Sequence, residues 1–221
     1  MINTLWVYEI YRGINGEVNR YGQGSITTFL RLAGCNCQCP YCDTKQAWET
    51  GNGEEMETKK VIEEVLSFGT DLVTITGGEP LLQSISLLPL VVKLVTEGKE
   101  IIIETNGTIC PNEVLIRIVY SWVMDWKLPS SNAHHLMNAQ NFAFLEDEDF
   151  VKFIISNEED YEYMKQDIKL IREDGCMAKF AISLNWDSPF CGYNGLVDRL
   201  IEDGLQDMII NIQLHKYIGA R

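Results

Sequence analysis

Two early segments, Leu5–Ile10 and Ser25–Leu32, are rich in Val, Ile, Thr and aromatic residues and have the length of strands. Thr58–Phe68 follows a different rhythm. Val61, Ile62, Val65 and Leu66 recur at helical spacing with charges between them, which predicts an amphipathic helix. From there short apolar runs alternate with helical patterns. Leu72–Thr76, Ile101–Glu104, Trp122–Trp126, Phe150–Ile155, Lys179–Leu184 and Met208–Gln213 read as strands. Leu87–Thr96, Asn112–Tyr120, Glu158–Glu173 and Gly195–Asp203 read as helices, with Pro89 fitting the first turn of its own. This alternation predicts an α/β fold of parallel strands joined by right-handed crossovers. With about six parallel strands and outer helices, the sheet should curl into a partial, incomplete TIM-type barrel. No repeat, low-complexity tract or linker interrupts the pattern. Residues 1–221 therefore read as a single domain with an N-terminal strand extension.

The pattern also sorts the unusual polar segments. A cysteine-rich loop follows Ser25–Leu32, Gly77-Gly78-Glu79-Pro80 follows Leu72–Thr76, and Thr105-Asn106-Gly107 follows Ile101–Glu104. Lys127-Leu128-Pro129-Ser130-Ser131 and Asn185 follow later strands. In a parallel sheet these ends share one rim, the place where ligands bind.

Charge narrows the possibilities. Lys and Arg number 18 against 32 Asp and Glu, a net −14 that disfavours proteins living on nucleic-acid phosphates or anionic lipid. The longest apolar run, Leu87 to Val92, is far short of the ~20 residues that span a bilayer. The first residues lack the pattern of a secretory signal, so a cytoplasmic protein is expected.

Four of the seven cysteines lie between Cys35 and Cys42. Packed this tightly they make a poor disulfide framework, and in a reducing compartment they point to a metal or redox site. Two triplets can be drawn, Cys37-Cys39-Cys42 and Cys35-Cys39-Cys42, the second leaving more slack to wrap one cluster. Structural zinc wants four ligands. Cys110, Cys176 and Cys191 stand alone, as small core or surface residues do. Three thiolates on an iron–sulfur cubane would leave one iron open to a small molecule. A zinc knob completed by a distant residue is the blander reading.

Other rim residues carry candidate chemistry with ordinary alternatives beside it. Gly77-Gly78 would admit a ligand close to the backbone or simply make a strand-to-helix turn. Glu79 could accept from an ammonium group. Thr44 could give a hard oxygen to Mg2+, or cap its loop. Arg31 could grip a carboxylate, and Lys127 could be a surface cation. His215 could reach substrate or be structural, whereas His134 and His135 are loop residues without metal-ligand spacing.

Together, Cys35-x3-Cys39-x2-Cys42 and Gly77-Gly78-Glu79-Pro80 resemble the signatures of the radical S-adenosylmethionine superfamily. Within it, the chain resembles the 7-carboxy-7-deazaguanine synthase family. Glu9-Ile10, Asn15-Gly16-Glu17, Phe29 to Cys35, Cys42-Asp43-Thr44, Thr76 to Pro80 and Glu104 to Gly107 carry the likeness. So do Lys127 to Ser131, Val151-Lys152-Phe153 and Gln213 to Lys216. The resemblance implies a 4Fe-4S cluster on Cys35, Cys39 and Cys42, with S-adenosylmethionine on the open iron. Gly78, Glu79, Trp126, Lys127, Lys152 and Ile154 would bind that cofactor, and Thr44 would hold Mg2+. Ile14, Asn15, Gly16, Glu17, Arg31, Thr76 and His215 would bind the pterin substrate, 6-carboxy-5,6,7,8-tetrahydropterin. It further implies a lyase reaction with loss of ammonia, a homodimer, and an electron-donor protein such as flavodoxin.

Three departures accompany the likeness. Asn15 stands where the family usually shows Gln, Cys37 is an extra thiol, and Gly219-Ala220-Arg221 ends the chain without the longer tail of some relatives. A glycyl-radical activating enzyme shares the cysteine spacing but should lack Cys42-Asp43-Thr44 and the Arg31 grip. A non-catalytic metal-binding interaction module would leave the other rim segments unexplained.

Overall fold

The computed structural model describes residues 4–220. Nine strands form one open sheet: β1 (Thr4–Ile14), β2 (Ile26–Leu32), β3 (Glu54–Glu57), β4 (Leu72–Gly77), β5 (Glu100–Thr105), β6 (Ser121–Trp126), β7 (Phe150–Ile155), β8 (Lys179–Leu184) and β9 (Ile209–Ile210). Their order is β3-β1-β2-β4-β5-β6-β7-β8-β9. Every pairing from β2 to β9 is parallel, and β1 runs antiparallel to both β2 and β3. This is the partial barrel that the alternation predicts, extended at its N-terminal side by a two-strand ribbon. Helices α1 (Thr58–Ser67), α2 (Ser84–Thr96), α3 (Glu113–Ile118), α4 (Glu158–Glu173) and α5 (Gly192–Glu202) occupy the crossovers, and α6 (Leu214–Ile218) follows β9.

The central strands are apolar on both faces because both are covered. Ile101, Ile102 and Ile103 of β5 are all fully buried, as a parallel strand enclosed by helices and barrel interior requires. The main core joins Leu30, Ile75, Ile103, Met124 and Phe153 to inward residues of the helices, among them Val61, Leu87 and Leu115. Side-chain caps fix two helix starts: Asn112 accepts from the Val114 N–H and Asn157 from the Asp160 N–H.

Several boundaries differ from those the pattern predicts, each for a local reason. α2 begins at Ser84, so Pro89 lies inside the helix rather than in its first turn. The predicted strand Met208–Gln213 shrinks to Ile209–Ile210. There the Asn211 amide turns inward to Ser183 Oγ (2.7 Å) while its oxygen accepts from the Val18 N–H (2.9 Å), ending the ladder. β3 was hidden by its polar sequence, Glu-Glu-Met-Glu; it is an edge strand that pairs only with β1. α3 stops at Ile118 because Val119 is already extended.

Candidate active site

The C-terminal ends of β2, β4, β5, β6 and β7 open onto one cavity of about 540 Å³. β1 forms one flank and the segment around α6 another. The glycines at the end of β4 make this possible. A Cβ on Gly78 would strike the carbonyl of Gly34 and lie 2.8 Å from that of Ala47, so only glycine lets the cysteine loop pack there. Gly77 has φ +145 and presses on the Leu32 backbone.

One wall carries the thiols of Cys35, Cys37, Cys39 and Cys42. All seven cysteines are free, and Cys37 and Cys39 are the most enclosed of the four. Asn106, at the end of β5, ties the loop down. Its amide donates to Asn36 Oδ1 (2.8 Å) and to Cys37 Sγ (3.4 Å). Burial raises the Cys35 and Cys39 thiols and pushes Cys37 up to about 12.

Much of the remaining lining is charged. Lys152 pairs with Glu17 and, at 3.1 Å, with Asp125, whose other oxygen accepts from Lys127 at 2.6 Å. Burial pulls both lysines down, but the adjacent carboxylates outweigh it and hold them above their ordinary range. Glu104 faces this network. Burial first, and then the Glu17 carboxylate, push its carboxyl group up to about 7 despite opposition from Lys152, a Thr76 hydrogen bond and Arg31. Arg31 is held in three directions, donating to Glu9 (3.0 Å), Thr44 Oγ1 (3.3 Å) and Tyr11 Oη (3.2 Å). Thr44 in turn donates to Asp43 Oδ1 (3.0 Å), and Asp43 pairs with Lys216 at 3.2 Å. The imidazole of His215 lies over Gly16, where a Cβ would collide with Nδ1, and burial lowers its pKa.

The structure therefore brings together Cys35, Cys39, Cys42, Gly78, Lys127, Lys152, Ile154, Ile14, Gly16, Glu17, Arg31, Thr44, Thr76 and His215 around one cavity. Three predicted site residues have side chains directed elsewhere. Asn15 hydrogen-bonds Ser25 Oγ (3.1 Å) and Thr74 Oγ1 (2.8 Å), so its shorter amide serves the loop after β1 rather than the cavity. Trp126 is buried, with Nε1 donating to Asp167 (2.8 Å). Glu79 is fully buried and accepts from the Leu81 and Asn106 N–H groups and from Thr105 Oγ1, so its carboxylate joins β4 to β5. His134 pairs with Asp167 at 3.0 Å, outside the cavity. Sequence reasoning missed Glu104, Asp125, Tyr11 and Gln213 as wall residues. Glu104 and Asp125 stand one position from strand ends whose loops were singled out, which was the available signal.

Comparison with known proteins agrees with this geometry. Residues 30–122 match the model of the Radical SAM superfamily. The chain is 38% identical to 7-carboxy-7-deazaguanine synthase of Clostridium acetobutylicum, covering 96% of this chain and 95% of that one. The chain belongs to the 7-carboxy-7-deazaguanine synthase family. The family's enzyme from Methanospirillum hungatei is 33% identical over 96% of this chain and 85% of its own. The crystal structure of QueE from Escherichia coli superposes with a TM-score of 0.76 at 21% identity, covering 96% and 95% of the two chains, which shows the shared fold.

A radical SAM enzyme of this family works with a 4Fe-4S cluster and S-adenosylmethionine. The cavity fits that pair. The thiols of Cys35, Cys37, Cys39 and Cys42 all line it. Three thiolates drawn from these four would leave one iron of such a cluster open.

Proposed function

We propose that the chain converts 6-carboxy-5,6,7,8-tetrahydropterin into 7-carboxy-7-deazaguanine and ammonia, the ring-contracting step toward queuosine and related deazapurines. The observation that carries this reading is one cavity lined both by the cluster-spaced thiols and by buried, paired charges. Cys35, Cys39 and Cys42 hold the cluster. Gly78 and the backbone beside it, with Lys127, Lys152 and Ile154, hold S-adenosylmethionine, while Glu79 fixes the loop from behind and Trp126 packs behind Lys127. When bound, the pair would supply hydrogen-atom abstraction from a C–H bond of the substrate.

The chain's own residues then position and protect. Arg31, oriented by Glu9, Tyr11 and Thr44, presents its guanidinium to the substrate carboxylate. Ile14, Gly16, Glu17, Thr76 and His215 enclose the bicyclic ring. Asn15 shapes that segment through Ser25 and Thr74. Glu104, titrating at about 7, holds or releases a proton at its carboxyl oxygens beside Thr76. The Glu17–Lys152–Asp125–Lys127 chain keeps charge balanced along the cavity.

Mg2+ belongs to this reading through Thr44 Oγ1 and the adjacent Asp43 carboxylate, two hard oxygen donors in contact. So do a homodimer, a flavodoxin-type electron donor, a cytoplasmic location and a single domain over the whole chain. The test is anaerobic reconstitution, reduction and addition of S-adenosylmethionine, Mg2+ and the pterin, with mass spectrometry for the product. Product formation that needs Cys39 and weakens in Thr44→Ala supports both the reaction and the metal assignment. Cleavage of S-adenosylmethionine without the product would overturn the substrate assignment.

A further inference from the structure

The cysteine loop carries four thiols where a cluster with one open iron takes three. Cys37 is the surplus one, and its surroundings tie it to the others. Cys37, Cys39 and Ala133 form a small buried cluster of their own, against which Cys35, Tyr41 and Cys42 pack. The Cys37 N–H donates to Cys35 Sγ (3.4 Å). The side-chain nitrogen of Asn106 lies 3.4 Å from Cys37 Sγ and 4.0 Å from Cys35 Sγ, so one amide group serves both sulfurs. Its orientation is fixed. Asn106 Oδ1 accepts from the Thr108 N–H (3.0 Å) and Thr108 Oγ1 (2.7 Å), which leaves the nitrogen end for the thiols. The Asn106 backbone N–H donates in turn to the buried Glu79 carboxylate (2.7 Å). Cys35 and Cys37 therefore share one corner of the loop. Cys42 Sγ accepts from the Thr44 N–H (3.4 Å) and, among the described residues, shares no donor with Cys37. Asn36 and Gln38, on either side of Cys37, are exposed, so this short stretch can turn its thiol without disturbing the core.

We propose that Cys37 is a reserve ligand of the cluster, taking over the iron of Cys35 when that bond opens. The inference rests on the proposed function, which places the cluster on Cys35, Cys39 and Cys42. In the exchange the Fe–Sγ bond to Cys35 breaks and one to Cys37 forms. Cys37 gives up a proton, Cys35 gains one, and no electron is transferred. Cys39 and Cys42 keep their irons throughout, so the site open to a small molecule is preserved. The loop thus offers two registers, Cys35-x3-Cys39-x2-Cys42 at rest and Cys37-x-Cys39-x2-Cys42 in reserve. The second has less slack and holds its iron less firmly, but it keeps three thiolates on the cluster.

The test measures iron and acid-labile sulfide in anaerobically reconstituted holoenzyme, without turnover. Cys35→Ala keeps at least about half of the parent's iron, whereas Cys42→Ala and the double variant Cys35→Ala, Cys37→Ala each keep less than about a tenth. Thermal melts of the same proteins before reconstitution separate ligand loss from misfolding. A second measurement leaves Cys35 intact. When the holoenzyme is exposed to air, Cys37→Ala loses iron at least about threefold faster than the parent, because no second thiol recaptures it. Cys110→Ala, which removes an exposed thiol elsewhere, keeps the parent's rate. A folded Cys35→Ala as poor in iron as Cys42→Ala, or a Cys37→Ala that loses iron no faster than Cys110→Ala, would each overturn the proposal. A parent that takes up no iron overturns it together with the proposed function. Failure of that function alone reads differently: a parent that holds its iron but forms no deazaguanine product loses the substrate assignment and leaves the iron measurements to decide on Cys37.

Discussion

Glu104 titrates at about 7, up from the ordinary 4.5, because burial and the Glu17 carboxylate both disfavour its charged form. A carboxyl group raised in the folded state contributes stability that is complete below about 4.5 and is lost as pH rises through about 7. Glu104→Gln has no such loss. Its melting temperature should therefore gain on that of the parent by roughly 3 °C or more between pH 5 and 8, the equivalent of about 1 kcal/mol in a domain of this length. Parallel thermal melts of the two proteins at each pH measure it; a constant difference would show that Glu104 stays ionised throughout. Glu104 was legible in the sequence only as part of a segment shared with the family, not as a proton-holding group, since its neighbours Glu17 and Lys152 come from the loop after β1 and from β7.

At the scale of elements, a helix and a glycine pair hold the rim in place. Asp160, in the first turn of α4, accepts from the Ser130 N–H (2.9 Å), Ser130 Oγ (2.5 Å) and the Ser156 N–H (2.8 Å), and so fixes the loop after β6 to the end of β7. Asp160→Ala leaves two half-buried N–H groups without partners, which costs about 2–6 kcal/mol in urea unfolding at about 1–3 kcal/mol each. Gly78→Ala forces the β4 turn off the Gly34 and Ala47 carbonyls. Its expected result is a reconstituted protein with less than about half the parent's iron, measured by iron content after desalting, since the thiol loop has lost its backing. The elements themselves were largely legible because apolar strands such as Ile101–Ile103 need no context to be recognised. The polar β3 was illegible for the opposite reason: its register is imposed by β1 and not by its own pattern. Likewise, Gly78 was readable as permissive, but the carbonyls that demand it come from a different strand end.

At the scale of the molecule, the cavity is closed by residues from opposite ends of the chain. The Leu214 N–H donates to the Gly16 carbonyl (2.9 Å), Gln213 reaches Glu17 (3.3 Å) and Lys216 reaches Asp43 (3.2 Å). A chain ending at Asn211 loses this wall but little core, because α6 buries no residue. Its Kd for the pterin should rise about tenfold or more, in keeping with the loss of one or two hydrogen bonds at about 1 kcal/mol each. Iron content should stay near that of the parent, and equilibrium binding with iron analysis on the same preparation distinguishes the two effects. Sequence motifs named His215 and Arg31 separately. Only the fold shows them to be parts of one enclosure.

That meeting of the two ends has a consequence for how the enzyme is made. During synthesis the cysteine loop leaves the ribosome before β4 to β8, and Gln213 to Lys216 emerge only after them. Contacts between residues so distant in sequence form late in folding. The nascent rim thus stays open on one side until that segment has emerged, giving iron and sulfide access to the thiols before the substrate enclosure exists. A newborn chain can be loaded before it is able to bind its pterin.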